Sequence, residues 1–505
     1  MIAPRARVLA TSLIAALGAC TLEPHYQRPP APVRAVPTAA PQPDTPVATD
    51  IGWHEFFPDP QLQRLIALAL ANNRDLRVAA LNVQSAQAHY RVQRADLLPT
   101  VSASALEEVE RFPAGVLGTP TGAGGSTSTG AAPTGGTILR FFDVGVGFTN
   151  YELDLFGRLR SLNHVAFQQY LSDVDTRRNV QLSLVAEVAS VYLTVLTDQT
   201  LFDITRDTWK SQSESYKLTE RQFGSGTNTE LALRQAETTV DTARANLAQY
   251  ERQIAQDRDA LELLLGAPIP EDIDFSHGLD RGPAVAELKE GIPSDVLLQR
   301  PDVLAAEHQL EAANAQIGAA RAAFFPTITL TSSFGTASPE LSGLFKGNSQ
   351  AWTFSPQITV PLFTGGANVA NLQATKLARA TAVAQYEKAI QSAFQEVADA
   401  LAARGTLDDQ LAAQQRLEVA SAQAYRLADM RFRGGVDSYL SALDAQRSLY
   451  AAQQQLESVR LLRLQNLVTL YKALGGGLLE HTPAQAPRSS PSDGVARNRD
   501  SAASN

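Results

Sequence analysis

The sequence predicts an α + β membrane protein built as a tandem repeat, each chain giving four transmembrane β-strands and long coiled-coil helices. Three features carry that prediction. The phrase "RADLLPT" beginning at Arg94 returns as "RAAFFPT" beginning at Arg321. Four stretches alternate apolar with small or polar residues over about ten residues each, the pattern of a strand between lipid and a wet interior. From residue 158 to 223 there is neither Pro nor Gly, room for a helix of about 90–100 Å at 1.5 Å per residue.

Composition narrows the class before any element is placed. The 505 residues are 44% hydrophobic and 19% charged, which excludes a collagen-like or wholly disordered chain. A net charge of −9 argues against nucleic acid as a partner, since that role favours a basic face. No run of eighteen apolar residues occurs, so a transmembrane helix is not expected.

Arg5 and Arg7 precede "VLATSLIAALGA", a short apolar run ending in small residues, and residues 1–19 read as an export signal. The sole cysteine, Cys20, follows at once, and a single cysteine excludes an internal disulfide framework. The tetrad "LGAC" resembles the lipobox of bacterial lipoproteins, in which the cysteine becomes the lipidated first residue. A plain signal peptide with an incidental cysteine is the other reading. Thr21 is not the Asp that retains such lipoproteins at the inner membrane. Residues 20–52 then form a proline-rich, semi-extended tether, and residues 480–505 a polar, disordered tail.

The folded body divides into a first repeat, 53–290, and a second, 291–479. Pro99 and Pro326 each close a helix-friendly run and open a Ser/Thr-rich one, because proline fits poorly inside a helix and pushes its predecessor toward extended backbone. They mark helix–strand junctions. "RQFGSG" and "MRFRGG" place Phe223 and Phe432 209 residues apart, and the "LLLGA" and "KALGGG" glycines, Gly266 and Gly475, keep that offset. Phe156 and Phe363 lie 207 apart and the two prolines 227 apart, so about twenty residues are inserted in the first copy. The insertion is the stretch "PAGVLGTPTGAGGSTSTGAAPTGGT", a Gly/Ser/Thr-rich loop. Such doubling is a tandem duplication.

Within each repeat the order is helix, strand, loop, strand, long helix, turn, helix. Strands are expected near 100–112, 141–155, 327–337 and 351–363. In the last, Trp352, Phe354, Ile358, Val360 and Leu362 alternate with Thr353, Ser355, Gln357 and Thr359; in the second, Phe142, Val144, Val146 and Phe148 alternate with Asp143, Gly145 and Gly147. A half-buried sheet in a soluble sandwich shares this pattern. Long helices are expected over 158–223, 228–265, 367–433 and 437–474. Ala236, Val240, Ala243, Leu247, Tyr250, Ile254, Leu261 and Leu264 follow 4-3-4-3 spacing, with Asp257 as a polar break, and Ala445, Leu449, Ala452, Leu456, Val459, Leu470 and Ala473 repeat it. That spacing is a coiled-coil seam.

Four strands cannot stand alone in lipid, where unpaired backbone groups cost several kcal/mol each. Closed membrane barrels begin at about eight strands, which two chains supply; three chains supply twelve. A narrow barrel is filled by its own side chains, whereas a wider one keeps a lumen. The helices must continue the same cylinder, which favours the trimer.

"WHEFFPDPQLQRLIALALANNRDL", "YELDLFGRLR", "QRPDVLAAEHQLEAANAQIGAARAAFFPTITL", "VPLFTGG" and "GGVDSYLSALDAQRSLYAAQQQL" resemble the TolC/OprM-type outer-membrane efflux family, closest to its lipoprotein branch, over 53–477. The resemblance implies a homotrimer, with a twelve-stranded β-barrel in outer-membrane lipid continued by a periplasmic α-helical barrel. It implies two protein partners, a periplasmic adaptor and an inner-membrane pump, often of the proton-driven RND class. The function it implies is a passive exit duct for small molecules such as drugs and other toxic compounds. A stand-alone porin, which wants eight or more strands in one chain, and a structural coiled-coil lipoprotein are the alternatives.

No catalytic constellation, cofactor motif or metal-ligand spacing stands out; the seven histidines are scattered, and His89 and His164 read as solvated or packed helix residues. The positions singled out lie at the turn "FRGGVDSYLSALDAQ". Asp437 can cap the helix it begins, and Asn228 stands at the same place in the first repeat. Leu440 and Asp444, four apart, share a helix face, and their first-repeat counterparts are Leu231 and Gln235. By resemblance Leu440 and Asp444 line the constricted periplasmic aperture, where three copies of Asp444 make an acidic ring attractive to cations. An ordinary solvated acid is the other reading of Asp444.

Overall fold

The computed structural model describes residues 21–33, 48–113, 137–280 and 297–483. The export signal, Cys20, nearly all of the Gly-rich insertion and most of the C-terminal tail lie outside the described residues. The chain forms two compact units: 1–30, 82–173 and 305–386 make one, while 31–81, 174–304 and 387–505 make the other.

The first unit holds the strands β1 (Ser102–Phe112), β2 (Thr137–Glu152), β3 (Thr327–Ser338) and β4 (Gln350–Thr359). They form one antiparallel sheet in the order β1-β2-β3-β4. Register assigns the two faces. Trp352 pairs with Phe334, which pairs with Val146, which pairs with Ala103; Phe354, Ile358, Ile328 and Phe148 continue the same face. The other face carries Thr353, Ser355, Gln357, Thr329, Ser333, Gly145 and Ser104. On the apolar face Trp352, Phe334 and Ile358 are 76%, 64% and 65% exposed. Water would penalise that surface at about 25 cal/mol per Å², whereas hydrocarbon would not. Gly335 opposes Gly145 so closely that an added Cβ would lie 2.2 Å from the Val144 carbonyl oxygen, so this crossing needs glycine.

Observed strand limits differ most from expectation in two strands. β2 spans Thr137–Glu152 rather than 141–155, with a register shift between Phe148 and Tyr151 where Asn150 takes φ 55°. β4 stops at Thr359, two residues before Pro361, which has no N–H for the ladder.

Eight α-helices are described: α1 (Trp53–Phe56), α2 (Pro60–Asn72), α3 (Arg74–Ala95), α4 (Arg158–Gly224), α5 (Glu230–Leu265), α6 (Pro301–Ala322), α7 (Ala367–Arg433) and α8 (Tyr439–Ala473). α2 starts where Asp59 accepts a hydrogen bond from the Gln61 N–H and Pro60 occupies the first turn, a position that needs no donor. α4 and α7 are each 67 residues long, and both end at the Phe-x-x-Gly turns. One 18-residue window of α4 is apolar enough to cross a membrane by composition, but 61% of it is buried within the fold. Val185, Val188, Ala189, Tyr192, Leu193 and Leu196 form its buried stripe. Tyr192 donates to Asp59 at 2.7 Å, and Phe56 stacks on Tyr471 with centroids 3.8 Å apart. The second unit is thereby closed around α4 and α8.

The seam residues of α5 are not uniformly buried: Ala236, Ala243 and Leu261 are buried, while Val240, Leu247, Tyr250 and Ile254 are half-buried. In α8, Ala452, Leu456, Val459, Leu470 and Ala473 are buried.

Two stretches expected to be loose are tied down at their described ends. In the expected tether, Arg28 makes a two-pronged ion pair with the buried Glu307 at 2.6 and 2.7 Å, and Tyr26 donates to the same carboxylate. Glu23 meets His164 at 3.0 Å, while Asn314 and Arg321 donate to the Pro24 and Leu22 carbonyls. Charged residues scattered among the prolines find partners on α4 and α6. At the other end, the Trp53 and His54 N–H groups donate to the carbonyls of Leu479 and Glu480.

Candidate functional site at the turns between the long helices

α7 ends in a left-handed glycine, Gly435, with φ 71°. The Gly435 N–H donates to the Phe432 carbonyl at 3.0 Å and the Val436 N–H to the Arg431 carbonyl at 2.9 Å, the paired bonds of a Schellman cap. α4 ends identically 209 residues earlier: Gly226 has φ 75°, its N–H reaches Phe223, and the Thr227 N–H reaches Gln222. A side chain at either glycine would be strained in that backbone region. The "F-x-x-G" landmarks of the sequence are these two caps.

The helices that follow begin two residues later than expected, and their N-caps lie one residue beyond Asn228 and Asp437. The N-cap of α5 is Thr229, whose hydroxyl accepts from the Ala232 N–H at 3.2 Å. Asn228 instead accepts from the Thr229 N–H at 2.9 Å and donates through Nδ2 to the Gln222 side chain at 3.0 Å. The N-cap of α8 is Ser438, which makes no side-chain cap bond, and Asp437 lies outside the helix. The expectation that Asn228 and Asp437 are caps is therefore corrected. Both side chains reach back across the turn: Asp437 accepts from Arg431 Nε at 2.5 Å and from its terminal nitrogen at 3.1 Å. That guanidinium holds the Asp437 carboxyl below the usual carboxylate range. A charge pair outcompetes a neutral N–H for the carboxylate.

Behind the turn, Phe432, Tyr439, Ala442, Leu443 and Ala236 form a buried cluster, with the Phe432 and Tyr439 rings 5.4 Å apart. Burying Tyr439, Ala442, Leu443 and Gln446 leaves the opposite face of α8 outward. Leu440 and Asp444 lie on that outward face; Leu440 is 49% exposed and Asp444 is exposed. Among the described residues Asp444 has no ion-pair partner, and its carbonyl accepts from the Ser448 hydroxyl. In the first repeat Leu231 is also exposed, while Gln235 is half-buried. An apolar side chain and a free carboxylate one turn apart offer a narrowing and a negative charge.

The junction residues sit in the first unit. Pro99 lies between α3 and β1, and Pro326 between α6 and β3. Each is preceded by the same tightened turn: the Leu97 and Leu98 N–H groups reach Arg94 and Ala95, as those of Phe324 and Phe325 reach Arg321 and Ala322. At the same end of the sheet, where β2 leads into α4, "YELDLFGR" is a lock: Arg158 pairs with Glu152 at 2.6 Å and the Arg160 N–H donates to Asp154 at 2.9 Å. Phe156 stacks on Phe325 with centroids 4.8 Å apart. Sequence reasoning missed these ion pairs and the Arg431–Asp437 pair. Their signal was opposite charge at spacing six, which periodicity arguments do not register.

His89 is exposed, as expected of a solvated helix residue. His164 is not merely packed: its hydrogen bond with Glu23 raises its pKa above the ordinary histidine value.

The family described as Outer membrane efflux protein matches residues 65–267 and 292–476. The two matched stretches are displaced by 227 residues at their starts and 209 at their ends, the offsets of the prolines and of the turns. The chain is 48% identical over 471 residues to a toluene efflux pump outer membrane protein, TtgC, of Pseudomonas putida, covering 92% of this chain and 94% of that one. It is 41% identical to outer membrane protein OprJ of Pseudomonas aeruginosa, covering 94% and 96%. Among solved structures it is similar to the open state of the Neisseria gonorrhoeae MtrE outer membrane channel. There the TM-score is 0.80 and the identity 40%, over 92% of this chain and all of that one.

Proposed function

The chain belongs to the outer membrane efflux protein family, and from that membership we propose that it is the outer-membrane exit duct of a tripartite efflux system. It passively carries small molecules, drugs or other toxic compounds, received from an inner-membrane pump, of the RND class, through a periplasmic adaptor. The single observation that carries this reading is the sheet: an apolar face, a small polar face, and two edges, on β1 and β4, without partners among the described residues. Such edges are untenable in lipid, so copies of the chain must close them. Three copies give twelve strands, wide enough for a lumen that four or eight strands lack. The long helices are then the duct's periplasmic portion, and Cys20 is its fatty-acylated anchor in the outer membrane.

Within that duct Leu440 and Asp444 form the resting constriction, three copies of each around the axis. Their support is the outward placement of both on α8 and the lack of an ion-pair partner for Asp444 among the described residues. Opening is driven by adaptor and pump, which act only by binding the open state better than the closed one.

The test combines mass and current. Purified chain in detergent, corrected for bound detergent, should have the mass of three chains. It should form ion-conducting pores in planar bilayers. In cells deleted for their own outer-membrane duct but retaining adaptor and pump, the chain should restore resistance to pump substrates. A monomeric mass, or pores without restored resistance, would overturn the duct in favour of a structural lipoprotein or a stand-alone porin.

A further inference from the structure

We propose that His54, Glu480 and His481 form a binding site for a borderline divalent transition-metal ion such as Zn²⁺, clasping the start of the folded body to its end. Their donor atoms all lie within 4.8 Å of one another. In tetrahedral coordination, with metal–ligand distances of about 2.0–2.2 Å, donors sit about 3.3 Å apart, so small side-chain rotations close the set. The His54 Nε2 to Glu480 distance is already 3.8 Å, and the two imidazole rings stack with centroids 4.5 Å apart.

The backbone holds these residues in register. The Trp53 N–H donates to the Leu479 carbonyl at 3.0 Å, and the His54 N–H to the Glu480 carbonyl at 3.1 Å. The Gly52 N–H donates to the Thr482 hydroxyl at 3.0 Å, and no side chain fits at Gly52, where a Cβ would lie 2.5 Å from the His481 backbone. Trp53 stacks on the His54 ring at 4.2 Å. Glu55 accepts from the Thr482 N–H and hydroxyl through one oxygen, while the other stands 3.3 Å from His481 Nδ1. A carboxylate bonded to an imidazole that is itself poised to ligate is the usual outer support of a metal site.

The two imidazoles are borderline donors and the carboxylate a hard one; two nitrogens in three favour Zn²⁺, Cu²⁺, Ni²⁺ or Co²⁺ over Mg²⁺ and Ca²⁺. Two of the three are exposed, with Glu480 and His481 side chains at 66% and 65%, leaving water the remaining coordination positions. The clasp joins α1 to the segment leading into the tail, 427 residues away. Residues so far apart show no ligand spacing in the sequence.

The test titrates ZnCl₂ into the full chain, purified in detergent without a histidine tag, by calorimetry. Saturable binding of one ion per chain is expected, with MgCl₂ and CaCl₂ giving none. His481→Ala, at an exposed ring, should weaken binding about tenfold or more while leaving the metal-free thermal midpoint unchanged; Glu480→Gln should weaken it less. Zn²⁺ should raise the midpoint of the parent chain and not that of His481→Ala. Absence of saturable Zn²⁺ binding, or equal binding by the parent and the His54→Ala/His481→Ala double variant, would overturn the proposal.

Discussion

Arg431 and Asp437 form an ion pair across the second turn at the place where Gln222 and Asn228 form an amide pair across the first. The two copies share backbone geometry and differ in charge. The pair ties the last turn of α7 to the lead-in of α8, and the helix it precedes carries Leu440 and Asp444. Because Arg431 is exposed and Asp437 half-buried, solvent reaches the pair and salt screens the attraction over a Debye length of about 8–10 Å at ordinary ionic strength. Arg431→Gln with Asp437→Asn should restore the amide pair of the first repeat and keep the fold. In planar bilayers the parent pore should open more often as salt rises, while the double variant should already be open and respond little. Parallel salt responses would remove the ion pair from any role in opening.

Arg300, of the "QRPDV" phrase, is a buried guanidinium that donates from Nε and from both terminal nitrogens. It donates to Asp302 at 3.0 and 2.7 Å, to Glu396 at 2.8 Å and to the Ala473 carbonyl at 2.9 Å. It fastens the start of α6 to the end of α8 and to α7. Arg300→Ala leaves the Ala473 carbonyl unmatched and returns two partly exposed carboxylates to water, a loss of about 1–3 kcal/mol. Arg300→Lys should recover little, since a single ammonium cannot replace the planar fork. Denaturant titration of the purified chain reads both; a midpoint unchanged in Arg300→Ala refutes this assignment.

Much of the fold was legible in the sequence because the signals were local. Pro99 and Pro326 stop helices by missing N–H groups and crowded rings, and Gly226 and Gly435 end helices by tolerating positive φ. Both act within a few residues. Period-two alternation likewise placed the strands, and the register sets Trp352, Phe334 and Val146 side by side. The caps were misplaced by one residue because "TNTE" and "VDSY" each offer neighbouring side chains able to cap. Only the competing partners, Gln222 and Arg431, decide among them. Long-range pairs left no trace: Glu23 finds His164 141 residues away, and Arg28 finds Glu307 279 away.

A buried acid in α4 makes stability pH-dependent. Burial, with the Asp257 carboxyl beside it, pushes Asp198 up to about 7. Its pKa in the unfolded chain is about 3.9. Between those values the folded chain holds more protons than the unfolded chain, so stability falls as pH rises from about 4 to 7 and levels off above. Asp198→Asn keeps the shape without the proton. Thermal midpoints measured from pH 5 to 8 should decline in the parent and stay flatter in the variant, which should be the more stable of the two at pH 8. Equal slopes would show that other groups set the dependence.

Cys20 lies outside the described residues, but the segment just after it is fixed: Leu22, Glu23 and Pro24 are held by Arg321, His164 and Asn314. An acyl chain on Cys20 would therefore start from a defined place. Metabolic labelling with a radioactive fatty acid should mark the parent chain and not Cys20→Ser. Cys20→Ser should still reach the membrane, because the apolar strand face inserts without the acyl chains. Label retained by Cys20→Ser would refute lipidation at this residue.

The proposed constriction is tested by removing Leu440, which would narrow it, and Asp444, which would charge it. Leu440 and Asp444 lie outward on α8 while Tyr439, Ala442 and Leu443 are buried, so truncating the first two spares the packing behind the turn. Three carboxylates around an axis attract cations and repel anions, and three leucines limit the bore. Leu440→Ala with Asp444→Ala should raise single-channel conductance and reduce the preference for cations. Asp444→Asn alone should change selectivity more than conductance, and Leu440→Ala alone the reverse. Gln235→Ala, at the corresponding half-buried place in the first repeat, should change neither. Divalent cations should block the parent pore and lose their grip when Asp444 is neutralised. If the double substitution leaves conductance and selectivity as they were, the narrowest point lies elsewhere and Asp444 is an ordinary surface acid.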